Sequence, residues 1–353
     1  MADISFWKER VKQYRHIGWC YPCTYGFDQA LRMKVVEKLI GQFSAETNAL
    51  LDLGCGTGDF SWALKDKFQE LVLYDPCAEV LENRKLRGRT AAGMALCGNI
   101  VFTYSIGNFA TLRCVEQIRN DVCYHHANVK IIASAGGFSY GQLGMSHHAT
   151  EDIAMMRALP NMRVYVPADP EEAIACLDHA AQTDGPCYIR LARRGEPVLY
   201  SKIKEINATR IQPVITGGIA ALLACGPILK KVLNAAQILK ANHTVVSVYS
   251  VPCVKPIDRD AVCEIAGEYS LIVTIEEHEI AGGLGGTVAE IVSELPGLHA
   301  SVYRLGLRDE YTGEVGSYDY LCGYYGLSGE KIAKTVSDML GKMFDEGCHN
   351  RSE

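Results

Sequence analysis

Nowhere does an apolar run approach the roughly 20 residues a membrane-spanning helix requires, so no transmembrane segment is expected. Residues Met1 to Arg10 alternate charge with aromatics and lack the apolar core of a secretory leader. Positive charge is not in excess either. The formal net charge of −6 argues against broad electrostatic attraction to nucleic acid or anionic membrane. Cys20 and Cys23 form one CxxC with no second pair nearby, short of the roughly four ligands of a zinc site, and no metal site is expected. The 14 cysteines are scattered through apparent core segments, as at Cys176, Cys225 and Cys263, and read as reduced thiols of a cytoplasmic protein. A low-complexity linker is also missing, although the basic run Arg84 to Arg89 is a plausible join.

What is present is ordinary in bulk and particular in pattern. With 353 residues, 48% hydrophobic and 22% charged, the chain is long enough for two or three domains, each with its own core. Strand and helix signals alternate almost to the end, giving an α/β class. The first segment, 1–90, has a helical region with Trp7, Val11 and Tyr14 on one face and a helix near Asp28 to Gly41. It continues with a strand Ala49 to Leu53, a glycine loop, a helix Asp59 to Phe68 and a strand Glu70 to Tyr74. In the second, 91–213, strands are expected at Ile100 to Tyr104, Val129 to Ala135, Val164 to Val166 and Cys187 to Leu191. Its helices are expected at Leu112 to Asp121, Asp152 to Ala158 and Pro170 to Gln182. The third, 214–345, has strands Ala220 to Ala224, Thr244 to Val248 and Leu271 to Ile275, with helices Leu229 to Lys240 and Thr287 to Leu295.

The most informative stretch is Gly136 to Asp152. It places flexible glycines, the paired imidazoles His147 and His148, and the carboxylates Glu151 and Asp152 between a buried strand and a helix. Ligands bind at that end of the strands in open parallel sheets.

Asp52-Leu53-Gly54-Cys55-Gly56-Thr57-Gly58 follows a strand and opens a helix, and Asp75 ends the next strand. Glycines let a backbone approach a ligand closely, and a helix start offers free N–H groups. From about Ala49 to Glu82 this resembles the first βαβ unit of an S-adenosylmethionine-dependent methyltransferase, a partial Rossmann-like segment. Two other readings stand beside methyl transfer: vestigial cofactor binding, and a structural unit supplying strands to the adjacent sheet.

From Ala91 the resemblance changes. Ala91-Ala92-Gly93-Met94-Ala95-Leu96, Phe109-Ala110-Thr111-Leu112-Arg113, Glu116 to Asp121, Arg157 to Met162 and Val166 to Asp169 look like the pyrimidine-binding domain of transketolases. Glu276-Glu277-His278 and Gly282 to Gly286 look like the C-terminal domain of that family. The resemblance implies two consecutive, mostly parallel-sheet domains and thiamine diphosphate as cofactor. It implies that Tyr104 and Phe109 pack against the aminopyrimidine with Arg113 on the same side. His147 matches a histidine near the reacting carbon, and an imidazole relays protons near neutral pH. His148 stands where the family has glutamine and is a substrate-side or supporting residue. Arg193 matches an arginine that holds the sugar phosphate, with Arg190 and Arg194 beside it. The Gly282 to Gly286 turn supports architecture in the family, although alone it reads as an anion cradle.

Two family features are missing. The diphosphate-binding domain with its magnesium motif does not precede Ala91, which implies a separate N-terminal subunit supplying magnesium and the diphosphate site, and a homo- or hetero-oligomer. The activating glutamate shortly before the Ala-Ala-Gly helix is also missing. Glu82 is the nearest replacement, with Glu79 beside it. The leading expectation is a split-transketolase C-terminal subunit moving a two-carbon ketol unit between sugar phosphates. The alternatives are an inactive or regulatory scaffold, and a methyltransferase remnant.

Overall fold

The computed structural model describes residues 49–53, 70–74, 91–193, 196–199 and 206–349. The expected helices before residue 49, Cys20 and Cys23, the Gly54 to Gly58 loop, the Asp59 to Phe68 helix, Asp75, Glu79, Glu82, the Arg84 to Arg89 run and Arg194 lie outside the described residues.

Twelve strands among the described residues build two sheets. The first has the order β10-β5-β6-β4-β3-β1-β2. It comprises β1 (Ala49–Leu53), β2 (Glu70–Tyr74), β3 (Val101–Ile106), β4 (Val129–Ser134), β5 (Arg163–Tyr165), β6 (Cys187–Arg190) and β10 (Cys253–Lys255). β1 runs parallel to both β2 and β3, with Ala49 opposite Glu70 and Val101. The two described strands of the N-terminal segment thus supply strands to the adjacent sheet. β10 was not anticipated. It comes from the C-terminal third of the chain and pairs antiparallel with β5.

The second sheet, β12-β11-β8-β9-β7, is formed by β7 (Gln212–Ile215), β8 (Ala220–Ala224), β9 (Ser247–Ser250), β11 (Leu271–Glu279) and β12 (Ser301–Leu307). Parallel pairing joins β12, β11, β8 and β9, and β7 is antiparallel at the edge. β8 and the first eight residues of β11 are wholly buried, as expected of parallel strands covered on both faces.

Helices among the described residues are α1 (Ala91–Leu96), α2 (Gly107–Ala110), α3 (Val115–Gln117), α4 (Asp152–Ala158), α5 (Pro170–Gln182), α6 (Leu229–Ala241), α7 (Arg259–Glu268), α8 (Leu284–Ser293), α9 (Tyr318–Tyr324) and α10 (Gly329–His349). α5 begins where the sequence predicts. Pro170 has its fixed φ suited to a first turn, Asp169 Oδ1 accepts from Glu172 N at 2.9 Å, and Glu172 reaches back to Ala168 N at 2.6 Å. The single helix expected over Leu112 to Asp121 is instead a 3-10 turn (Leu112–Cys114), α3 and a π-helical turn (Ile118–Cys123).

Of the two compact units into which the chain divides, the larger holds residues 106–115, 133–179 and 188–353. Its core gathers Leu222, Val248, Val273 and Ile275 of the second sheet with Val232 and Leu239 of α6 and Val336 of α10. Phe138 joins it from the loop after β4. In the smaller unit Val101, Val129 and Ile131 are buried with Met94, Ile118 and Val122. The described cysteines carry free thiols. No described helix is long and apolar enough to cross a membrane.

Candidate functional site

The stretch after β4 is a closed loop. Gly137 N donates to Ala149 O at 2.9 Å and Ala149 N to Gly137 O at 3.2 Å, pinching its neck. The turn out of the strand is backbone-limited: Ala135 has φ +58° and Gly137 φ +59°, the left-handed region that a Cβ disfavours. A Cβ on Gly137 would also meet Glu277 Oε2 at 2.3 Å. Beyond the neck, Phe138 anchors the loop in the core, a 3-10 turn runs over Gly141–Leu143, and Gly144 turns at φ +77°. The amide of Asn108, in α2, donates to His148 O at 2.6 Å and Ser146 O at 3.3 Å, fixing the far side.

This frame presents His147 half-buried among aromatic rings. Phe109 meets the imidazole edge-on at a centroid distance of 5.2 Å, and Tyr140 does so at 6.2 Å. Each ring carries a guanidinium on its face, Arg113 over Phe109 at 4.9 Å and Arg193 over Tyr140 at 5.3 Å, within cation–π range. The result is a row of Arg113, Phe109, His147, Tyr140 and Arg193. Ser146 Oγ lies 3.0 Å from His147 Nδ1. Desolvation, then the neighbouring His148, lowers the His147 pKa, keeping the ring neutral and able to accept a proton.

Beneath the loop lies a buried polar cluster. Arg190 of β6 donates from Nε to Asp152 Oδ2 at 2.9 Å, and from Nη2 to Ala149 O at 2.7 Å and Glu277 O at 3.0 Å. Tyr188 donates to the same Asp152 oxygen at 2.5 Å. Burial works against the Arg190 charge, but Asp152, Tyr188 and Glu277 outweigh it and raise its pKa. Glu277 accepts from Phe138 N at 3.3 Å and from the Tyr318 hydroxyl. His278 donates from Nδ1 to Glu279 O at 2.7 Å and accepts Ala154 N–H on Nε2 at 3.2 Å. That pairing fixes a neutral ring, consistent with burial lowering its pKa.

The Gly282 to Gly286 turn holds a resident carboxyl group. Glu276 accepts from Leu284 N at 2.7 Å and Gly285 N at 2.8 Å, occupying the N-terminus of α8. The cradle reading is therefore replaced by a structural one. The same carboxylate starts α8 three residues before the expected Thr287, and β11 runs past Ile275 because Glu276, Glu277 and His278 all find buried partners.

The sequence-selected residues fall in distinct places. Phe109, Arg113, His147 and Arg193 come together in the row. His148 is only 1% exposed, with both ring nitrogens engaged by Thr312 and Gly141, a supporting position. Tyr104 is on β3 and 39% exposed. Arg190, a neighbour of Arg193 in sequence, is in the core. Asn108, Tyr140, Ser146 and Thr312 were not selected. Arg190 had a signal in sequence, a charge inside the apolar strand Cys187 to Leu191, which calls for a buried partner. Thr312 had none.

Phe109 and Tyr140 are aromatic surfaces of the kind that pack on a flat heterocycle. No group of three or more His, Cys, Asp or Glu side chains placed to hold a metal ion occurs among the described residues.

Comparison with known proteins agrees with this layout. Residues 88–196 match the transketolase pyrimidine-binding domain and 214–332 the transketolase C-terminal domain. The chain is 32% identical over 242 residues to an apulose-4-phosphate transketolase subunit of Actinobacillus succinogenes, covering 69% of this chain and 78% of that one. It is 34% identical over 249 residues to a 6-deoxy-6-sulfo-D-fructose transketolase subunit of a Clostridium species, covering 70% and 76%. A solved split-gene transketolase, described as an inactive β4 tetramer, superposes with a TM-score of 0.72 at 33% identity, covering 87% of this chain and 97% of that one. With both domain signatures in sequence order, the chain belongs to the transketolase family, among relatives of the split, C-terminal type.

Proposed function

We propose that this chain is the C-terminal subunit of a split transketolase and works with a second subunit that holds the diphosphate and magnesium of thiamine diphosphate. The observation that carries the reading is the row of Arg113, Phe109, His147, Tyr140 and Arg193. Thiamine diphosphate, when bound, supplies the carbon nucleophile for ketol transfer. Phe109 offers an apolar ring to its pyrimidine, and Arg113 backs that ring. His147 accepts and returns a proton at the substrate hydroxyl, for which a neutral imidazole is the suitable form. Arg193 is exposed and offers a fork of donors to a sugar's terminal anion. The names of the two relatives carry a phosphate and a sulfo group, each anionic, which favours a sugar with an anionic end as substrate. His148 supports the loop from beneath.

Glu82 is assigned the role of the activating carboxyl group on sequence position alone, and unchanged turnover in Glu82→Gln removes that assignment. The regulatory-scaffold alternative predicts partner association without turnover. Reconstitution with a diphosphate-domain subunit decides between them. Ketol transfer between sugar phosphates that requires both chains and thiamine diphosphate is expected, and a cofactor-loaded complex without transfer refutes the active reading. The methyltransferase-like reading of residues 1–90 is separate, and a silent calorimetric titration with S-adenosylmethionine removes it.

A further inference from the structure

The loop after β12 touches the His147 loop at three points. Thr312, 2% exposed, brings Oγ1 to 2.7 Å from His148 Nδ1. Gly316 N donates to Gly141 O at 3.2 Å. Val315 lies against Gly144, whose Cβ, if present, would be 3.4 Å from Val315 Cγ2. At Gly141 the approach leaves no room for a side chain, since a Cβ there would fall 2.5 Å from Leu321 Cδ1 and 2.6 Å from Gly316 O.

These contacts fix the protons. A carbonyl oxygen only accepts, and Gly141 O lies 3.1 Å from His148 Nε2, so Nε2 carries a hydrogen. Gly141 O thereby uses both lone pairs, one for His148 and one for Gly316. In the neutral ring Nδ1 is then a bare acceptor, and the Thr312 hydroxyl is its donor. Burial opposes a second proton on this ring more strongly than Gly141 O and Glu151 favour it.

The backbone on both sides of the ring is already held. His148 N donates to Gly144 O at 3.2 Å, and His148 O receives the Asn108 amide. The orientation of the imidazole is the remaining freedom, and Thr312 and Gly141 O fix it from the two ring nitrogens. His147 is the next residue, its own N–H bonded to Gly144 O at 2.9 Å.

We propose that Thr312 is a positioning residue for His147, acting through the tautomer and orientation of the His148 ring, so that the loop after β12 sets the reactive loop. This rests on the reading of His147 as functional. The measurement is carbon and nitrogen NMR of histidine-labelled full-length protein: wild type, Thr312→Val and Thr312→Ser. In the wild type His148 is expected as the Nε2–H tautomer. Thr312→Val is expected to shift the His147 ring signals, with Thr312→Ser restoring them. In the reconstituted enzyme, Thr312→Val is expected to lower kcat by about ten- to a hundredfold with the donor KM within about twofold.

An Nδ1–H tautomer for His148, or His147 signals unmoved in folded Thr312→Val, overturns the proposal. An Nδ1–H tautomer in the wild type overturns it even if the valine variant does not fold. Full turnover by His147→Ala would sink the functional reading of His147 while leaving the Thr312–His148 coupling visible by NMR, so the two failures are distinguishable.

Discussion

Replacing Arg190 by methionine is the sharpest test of how the His147 loop is supported. The guanidinium makes three hydrogen bonds from a site only 2% exposed, to Asp152 Oδ2, Ala149 O and Glu277 O. Asp152 is wholly buried, and its Oδ1 has no hydrogen-bond partner. Methionine fills much of the space but leaves that carboxylate with the Tyr188 hydroxyl alone. Breaking one side of a buried ion pair costs about 3–5 kcal/mol. At about 2–4 °C per kcal/mol for a domain of this size, the melting temperature should fall by roughly 6–20 °C. Circular dichroism melts measure the fall. Adding Asp152→Asn to Arg190→Met should cost less than the two single losses combined, with a coupling of about 0.5–3 kcal/mol. Arg190→Lys should rescue only partly, because an ammonium cannot reproduce the fork that reaches Asp152 and both carbonyls. A melting temperature for Arg190→Met within about 2 °C of wild type would refute the reasoning.

Other outcomes follow from the same geometry. His147→Ala should lower turnover of the reconstituted enzyme by about 10²–10⁴-fold while changing stability by no more than about 0.5 kcal/mol, because the ring is half-exposed; kinetics and urea melts on one preparation read both. Gly137→Ala should destabilise by about 1–3 kcal/mol, since φ is +59° and Glu277 Oε2 occupies the Cβ position; chemical denaturation measures it.

Burial pushes the Glu276 carboxyl up to about 7 from 4.5, against the pull of the two N–H groups it accepts. Between those values the folded protein holds a proton that the unfolded chain has lost. This contribution is full below the unfolded pKa and is lost as pH rises through the folded one. Glu277 shifts in the same direction and His278 in the opposite one, so the test is a difference. The stability of wild type minus that of Glu276→Gln should fall by about 3 kcal/mol between about pH 4.5 and 7.5, and a flat difference would contradict the assigned burial.

Much of the fold was readable because local signals agreed with the final packing. Ala220 to Ala224 is uniformly apolar and becomes a central strand, and Asp169-Pro170 with Glu172 marks the start of α5. The glycine and histidine pattern after Val129 to Ala135 marked the loop at which Phe109, Arg113, His147 and Arg193 meet. What stayed hidden depends on pairings distant in sequence. Arg190 finds Asp152 across 38 positions, and although its place in an apolar strand calls for a buried partner, nothing local says which residue that is. Glu276, Glu277 and His278 look like a loop until the amides of Leu284, Gly285, Phe138 and Ala154 are seen to meet them. Thr312 lies 164 residues from His148, and a threonine in a polar turn has no local mark. His148 was grouped with substrate contacts through its neighbour, although its burial turns it inward.

Strand β10 bears on where the polypeptide can be cut. Cys253 and Lys255 lie opposite Tyr165 and Val164, and Val166 N donates to Pro252 O at 2.8 Å. The Lys255 ammonium reaches Arg157 O and Leu159 O, capping the end of α4. Expressing residues up to about 213 without the remainder would strip β5 of its outer neighbour and bare a ladder of unused amides, the kind of border that recruits foreign strands. Such a fragment should clump rather than fold, while an excision that keeps 252–255 attached should stay dispersed.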